Sequence, residues 1–315
     1  MTRAAVEKGE TMEYEIKPLT PEEAEYIGGK LEEYVRSVAP SGPAAEEEEI
    51  VLKIEDGQGN IIAGCVIDLH EWGWDRMLLA TLWVDARCRG QGLGSQLIHE
   101  AERIGREKGC YISCLGTMVF HARGLYEKHG YTVFTTRKDY PRGKEGYSLA
   151  KRLDRGIPDY VPQHNGAEGK YEVRRGTEED AEVICDGLGR YSDQFAPDLH
   201  EKIRIDRKLA DADGRLIAGI LASVGGWDEF SVDVLWVEEP YRGQGLGSLL
   251  LREAEREGIA RGAYKLFTSA GDWNAGFFEK NGYAAIGELK DVPRGHSCYE
   301  MEKPVRPEDA AGCIE

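Results

Sequence analysis

Long apolar runs are missing from this sequence. No stretch of its 315 residues approaches the roughly 18 consecutive apolar side chains that a membrane-spanning helix needs. The opening, MTRAAVEKGETMEYEIK, lacks the apolar segment of a secretory signal, so a soluble, cytoplasmic protein without membrane partners is expected. Cysteine is sparse: Cys65, Cys88, Cys110, Cys114, Cys185, Cys298 and Cys313 are odd in number and include no C-x-x-C pair. That argues against a disulfide framework and against a zinc site, so no metal is expected. Basic residues are in deficit, with 40 Lys+Arg against 57 Asp+Glu and a formal charge of −17. Such a field opposes non-specific attraction to nucleic acid and favours cationic partners, although a local nest of backbone N–H groups still holds an anion on an acidic protein.

What the chain does have is an internal repeat. LWVDARCRGQGLGS (82–95) and LWVEEPYRGQGLGS (235–248) agree at 10 of 14 positions with an offset of 153. EKHGY (127–131) matches EKNGY (279–283), and DYPRG (139–143) matches DVPRG (291–295). Upstream, YEIKPLTPEEAE (14–25) resembles YEVRRGTEEDAE (171–182), and IIAG (61–64) resembles LIAG (216–219). This period is too long for a solenoid unit and indicates a duplicated domain. The expected division is a first domain over 12–153, a linker over 154–170 rich in Pro, Gly and polar residues, and a second domain over 171–305. Glu46 to Glu49 read as a solvated acidic loop.

Each half carries the same coarse pattern. A helix is expected near 21–37 or 177–190, then strands near 61–69 and 78–84, or 216–224 and 230–237. A glycine-rich turn follows, then a helix in which Leu93, Leu97, Ala101 and Ile104, or Leu246, Leu250 and Ala254, recur at helical spacing. Short strands (111–115 and 131–136; 264–268 and 283–287) bracket a further helix containing LYEK or FFEK. Alternating elements of this kind predict an α/β or α+β fold, a sheet flanked by helices in each half.

The RGQGLGS turn lies between a β-rich run and an amphipathic helix, where unpaired N–H groups and the positive end of a helix dipole meet an anion. Gly90, Gly92 and Gly94, and Gly243, Gly245 and Gly247, remove side chains so that backbone N–H groups approach phosphates closely. Arg89 and Arg242 stand ready to add positive charge. A Walker loop needs Gly-Lys-Ser/Thr at its end, and the dinucleotide fingerprint needs G-x-G-x-x-G; neither spacing is present.

Arg89-x-x-Gly92-x-Gly94 and Arg242-x-x-Gly245-x-Gly247 resemble the acetyl-CoA pyrophosphate loop of the GCN5-related N-acetyltransferases, the GNAT superfamily. The block Tyr126-Glu127-Lys128-His129-Gly130-Tyr131 resembles the family's helix-to-strand segment that places a tyrosine beside the CoA sulfur. The likeness covers about 12–153 and 170–303. It implies two tandem GNAT domains, each a mixed, mostly antiparallel twisted sheet flanked by helices, and acetyl-CoA as the cofactor. It further implies cofactor contacts from the strand backbones of Leu82, Trp83 and Val84, and of Leu235, Trp236 and Val237. The turn residues Arg89, Gly90, Gln91, Gly92, Leu93, Gly94 and Ser95 would hold the phosphates in the first copy. Arg242, Gly243, Gln244, Gly245, Leu246, Gly247 and Ser248 would do so in the second. A capping role is the equal alternative for Ser95 and Ser248.

The expected reaction is acetyl transfer to a primary amine of a small molecule. The alternatives are a protein lysine or N-terminus as acceptor, or a non-catalytic acyl-CoA sensor or scaffold. An amine with a pKa of about 10.4 is almost wholly protonated at pH 7, and a leaving thiolate with a pKa of about 8.5 needs a proton, so a base and an acid are sought. Tyr126 fits the family's acid, and its counterpart is Phe278, which has no proton to give. Asp233 lies on the strand before the second loop as a candidate base, with Ala80 as its counterpart. For the first copy the base is Glu71 or Asp139, or the proton is lost to water alone. Asp139 and Asp291 open Asp-x-Pro-Arg-Gly blocks that read first as turns. Where many family members carry an Asn contacting the cofactor, this chain has Val119 and Gly271, with His121 and Asn274 nearby. His70, Glu71, Trp72 and Trp74, echoed by Trp227, Asp228 and Glu229, suggest either an aromatic, acidic rim for an amine or loop aromatics closing a sheet edge. A monomer or a homodimer is expected.

Overall fold

The computed structural model describes residues 3–4, 14–40, 46–155 and 171–305. Most of the expected linker (156–170) and Cys313 lie outside the described residues. From the N-terminus come β1 (Arg3–Ala4), β2 (Tyr14–Pro18), α1 (Pro21–Val38), β3 (Glu48–Glu55), β4 (Ile61–Leu69) and β5 (Arg76–Val84). Next are α2 (Leu93–Glu107), β6 (Ile112–Met118), α3 (Arg123–Lys128), β7 (Thr132–Lys138) and β8 (Glu145–Arg152). The second pass begins with β9 (Val173–Arg175), α4 (Glu178–Ser192), β10 (Ile203–Ala210), β11 (Leu216–Val224) and β12 (Glu229–Val237). It ends with α5 (Leu246–Ala260), β13 (Lys265–Gly271), α6 (Ala275–Lys280), β14 (Ala284–Lys290) and β15 (Ser297–Pro304). No helix among the described residues is long and apolar enough to cross a membrane. Glu48 and Glu49 belong to β3 rather than to a loop; Glu48 pairs with Lys108, and the carboxylate of Glu47 accepts the Trp72 N–H at 2.9 Å.

Two compact units form, and they do not follow the repeats. One comprises Met1–Pro40, Asp198–Lys290 and His296–Glu315; the other comprises Ser41–Pro197 and Asp291–Gly295. These compact units cross the boundaries expected at 153 and 171. The first strand and helix of each repeat have been exchanged. In the second unit the strand order is β7-β8-β6-β5-β4-β3-β9, and all pairings are antiparallel except β5 with β6. In the first unit the order is β1-β2-β10-β11-β12-β13-β15-β14, and β12 with β13 is the parallel pair.

The exchanged helices form for local reasons. Thr20 and Glu23 make a reciprocal capping box at the start of α1, with Pro21 in its first turn, and Thr177 with Asp180 does the same for α4. Where they go is decided by fit. A Cβ on Gly64 of β4 would lie 2.2 Å from Cδ1 of Ile184, and one on Gly219 of β11 would lie 2.8 Å from Cδ1 of Ile27. Each glycine is thus a socket for an isoleucine of the other repeat. Both isoleucines are fully buried, and each burial contributes about 1.5–3 kcal/mol. Lys208 with Glu23 and Lys53 with Asp180 fasten the helices at matching places. On the opposite face, Leu93, Leu97, Ile98, Ala101 and Ile104 of α2 enter the core of their own repeat, as do Leu246, Leu250, Leu251 and Ala254 of α5.

Candidate active site

A gap in the sheet makes the site. β5 pairs with β6 only from Arg76 to Leu78, opposite Ile112 to Cys114. Immediately beyond, Val66 of β4 faces Thr81 while Ile67 faces Leu79, which leaves Ala80 as the extra residue of a β-bulge. The side of β5 toward β6 therefore has no strand partner from Leu79 to Val84. A cavity of about 610 Å³ opens there, and its walls include Leu82, Trp83, Val84, Gly116 and Thr117. The second repeat repeats the geometry: β12 pairs with β13 only as far as Val232 with Thr268, and Asp233 is the bulged residue.

The glycine turn closes the cavity at one end. Gly90 and Gly92 have φ of +75° and +85°, and Gly243 and Gly245 have +75° and +81°, backbone conformations that disfavour any other residue. Open space lies where a Cβ on any of these four would point. The first intrahelical bond of α2 runs from Gln96 N–H to the Gly92 carbonyl at 3.0 Å, so the N–H groups of Leu93, Gly94 and Ser95 precede the helical ladder and point out of its end. Gly92 and Gly245 are the N-caps, which places Ser95 and Ser248 inside the first turn rather than at a cap.

Two turn residues act differently from the sequence-based expectation. Gly94 is required by packing, since a Cβ there would meet Leu125 of α3 at 3.1 Å, and Gly247 would meet Phe277 at 3.3 Å. Arg89 donates from Nε to the Val84 carbonyl at 3.1 Å, and its guanidinium stacks 4.2 Å from the Tyr191 ring centroid. Arg242 donates to the Val237 carbonyl at 2.9 Å and lies over Trp236. These arginines pin the turn to the strand before it; their Nε–H groups are committed to protein.

Tyr126 of α3 lines the cavity with only 8% of its surface exposed. Burial, and secondarily the neighbouring Cys65, raises its pKa far above the ordinary tyrosine value, so its hydroxyl keeps its proton. His121, in the turn before α3, lines the same cavity. Its Nδ1 accepts the Met118 N–H at 3.4 Å, which leaves the ring hydrogen on Nε2, and that group donates to Ser192 Oγ at 3.0 Å. Ser192 in turn donates to the Leu188 carbonyl at 3.0 Å. Burial lowers the pKa of His121 and favours this neutral form. His121 thus fastens α4 to the end of β6. Leu188 and Tyr191 of α4 also line the cavity. Sequence reasoning missed them: the match of Tyr34 with Tyr191 was legible in the repeat, but not the sheet each helix covers.

The remaining candidates are dispersed. Asp139 has φ +55° and accepts the Gly143 N–H at 2.5 Å; Asp291 accepts the Gly295 N–H at 2.8 Å, so both blocks are turns. His70 and Trp74 are buried, Trp74 lies against Arg76, and none of His70, Trp72 or Trp74 lines the cavity; of the two readings the geometry favours loop residues packed at the β4–β5 connection over an acceptor rim. Glu71 begins a short 3-10 turn, and its side chain lies outside the described residues. Asp233 is half-exposed, 3.9 Å from Lys202. Phe278, at the position of Tyr126, is buried edge-on to Tyr283. Trp273 occupies the position of His121 and folds onto Gly271, where a Cβ would lie 2.3 Å from its ring. Val119 is exposed, and Asn274 stands at the start of α6.

A family model described as an acetyltransferase (GNAT) domain matches residues 47–133, and one described as the acetyltransferase (GNAT) family matches 177–283. The chain belongs to the GNAT acetyltransferases. Its two GNAT domains stand in tandem, each a mixed, mostly antiparallel sheet with helices. Blasticidin-S acetyltransferase of Streptomyces morookaense is 41% identical over 106 residues, 33% of this chain and 76% of that protein. Acetyltransferase Atu2258 of Agrobacterium fabrum is 29% identical over 123 residues, 38% of this chain and 84% of that protein. The crystal structure of an acetyltransferase from Bacillus cereus shares 33% identity with a TM-score of 0.41, covering 44% of this GNAT chain and 96% of that one.

Proposed function

We propose that the first cleft transfers an acetyl group from acetyl-CoA to a primary amine of a small molecule, with Tyr126 as general acid. The carrying observation is the coincidence, in one cavity, of the glycine turn, the unpaired edge of β5 and a buried tyrosine. The residues fit the cofactor: space lies open over Gly90 and Gly92, and the N–H groups of Leu93, Gly94 and Ser95 lie beyond the ladder of α2. Acetyl-CoA supplies the acyl group as a thioester. The free edge of Leu82, Trp83 and Val84 offers backbone groups to the acyl arm, and the helix end offers N–H donors to phosphate. Tyr126 holds a proton for the departing sulfur as the C–S bond breaks and the new C–N bond forms. Among the described residues lining the cavity none is Asp or Glu, so the amine reaches its neutral form by losing a proton to water. The name of the blasticidin-S relative supports a small-molecule acceptor. The six described cysteines are thiols, as suits the cytoplasm.

The second repeat keeps the turn, but Phe278 has no hydroxyl and Asp233 stands in solvent. These features support binding of the cofactor there without transfer. In the full chain, Tyr126→Phe is expected to slow thiol release by 10²- to 10⁴-fold while acetyl-CoA affinity, read by calorimetry, holds. Asp233→Asn is expected to leave the rate unchanged. Loss of activity in Asp233→Asn with Tyr126→Phe unaffected moves the chemistry to the second repeat.

A further inference from the structure

Aromatic rings gather on one side of the first cleft. Phe120, in the turn after β6, stacks on Phe195, just past the end of α4, with centroids 5.2 Å apart and planes within 9°. Tyr191 meets Phe195 edge-on at 5.2 Å, and its hydroxyl donates to the Phe120 carbonyl at 3.1 Å. Phe120 and Tyr191 line the cavity. Phe195 nonetheless keeps 43% of its surface exposed, and Val119 beside the wall keeps 52%. A ring left half in water forgoes part of the free energy that burial provides, so the exposed part of Phe195 is free to pack against a ligand ring. The wall is held in place by the chain from Met118 through His121 and Ser192 to Leu188.

Charge points the same way. The charged side chains among the described lining residues are Arg89 and Lys128, both cationic. The lining therefore offers an ammonium no counter-charge, so affinity has to come from the body of the acceptor, and a flat ring meets flat rings in the geometry that aromatic pairs favour.

Resting on the reading of the first cleft as the transfer site, we infer that its acceptor is an amine borne on a flat unsaturated ring, seated against Phe120 with Phe195 extending the wall, while Tyr191, one face of which Arg89 covers, braces it from behind. Tyr191 and Phe195 come from the second repeat, so that repeat sets the acceptor specificity of the first cleft.

The test compares benzylamine with cyclohexylmethylamine, which carry the same charge and carbon count but differ in the flatness of the ring. Binding to the full-length protein saturated with CoA is measured by calorimetry. Benzylamine is expected to bind about three- to tenfold tighter. The preference should vanish in Phe120→Leu and in Phe195→Leu, the latter at an exposed position that leaves folding intact, with CoA affinity unchanged. Equal affinity for the two amines, binding of neither, or a preference that survives both substitutions overturns the inference. Acetyl transfer to the same amines is read separately. Ring preference without transfer refutes the catalytic reading while the ring wall stands.

Discussion

His129 shows how one substitution between repeats changes the acid response of the fold. It is 3% exposed, and burial, followed by the charge of Lys151, lowers its pKa to about 4. In the unfolded chain a histidine takes its proton near pH 6.5. Above that pH both states are neutral and the full stability is present; as pH falls from about 6.5 toward 4 the unfolded state binds the proton first. Stability then drops, by at most about 3 kcal/mol. The second repeat has Asn281 at this position, donating to the Phe277 carbonyl at 2.8 Å. His129→Asn is expected to flatten the loss of stability between pH 6.5 and 4, followed as the denaturant midpoint against pH; parallel curves for both proteins assign that loss to other groups. At this scale the sequence was legible where backbone conformation dictates the residue. Gly90 and Gly92 were singled out for their missing side chains, and the positive φ that both adopt is a second reason for glycine there. Arg89 and Gly94 were legible as motif letters only, because the contacts to Val84, Tyr191 and Leu125 come from elsewhere in the fold.

Among the elements, α4 carries the sharpest local contrast. Gly187 and Gly189 lie two residues apart in this helix. A Cβ on Gly187 would come 2.5 Å from the Trp83 indole, whereas Gly189 faces open space. Glycine inside a helix costs about 0.5–1 kcal/mol relative to alanine, so Gly189→Ala is expected to stabilise by about that amount. Gly187→Ala is expected to destabilise by about 1–3 kcal/mol through overpacking and to expose α4 amides to hydrogen exchange. Stabilisation by both substitutions refutes the close seating of α4 on Trp83. The existence of α1 and α4 was readable from their capping residues, since a capping box acts within four residues. Strands β3, β8, β10 and β15 went unread, because their pattern blends with neighbouring turns and only pairing defines them.

For the molecule as a whole, the exchange makes the repeats interdependent. Aligning the repeats pairs Ile27 with Ile184 and Lys30 with Gly187. Both sheets therefore offer the same glycine socket, but α1 brings a lysine to the place where α4 needs a bare Cα against Trp83. Expressed alone, a 1–155 fragment is expected to show no cooperative thermal transition and no acetyl-CoA binding. Co-expression with 156–315 is expected to restore both. A 1–155 fragment that melts cooperatively and binds acetyl-CoA shows that α1 can replace α4.

The sequence by itself determined the duplication, the two glycine turns, the helix starts and the family, because each rests on residues within a few positions of one another. Tertiary structure alone decided which helix covers which sheet, that Arg89 pins a turn, and that a helix of the second repeat walls the first cleft. The physical reason is degeneracy: the two sheets present nearly identical sockets, and side-chain fit across distant residues, such as the bare Gly187 against Trp83, tells them apart.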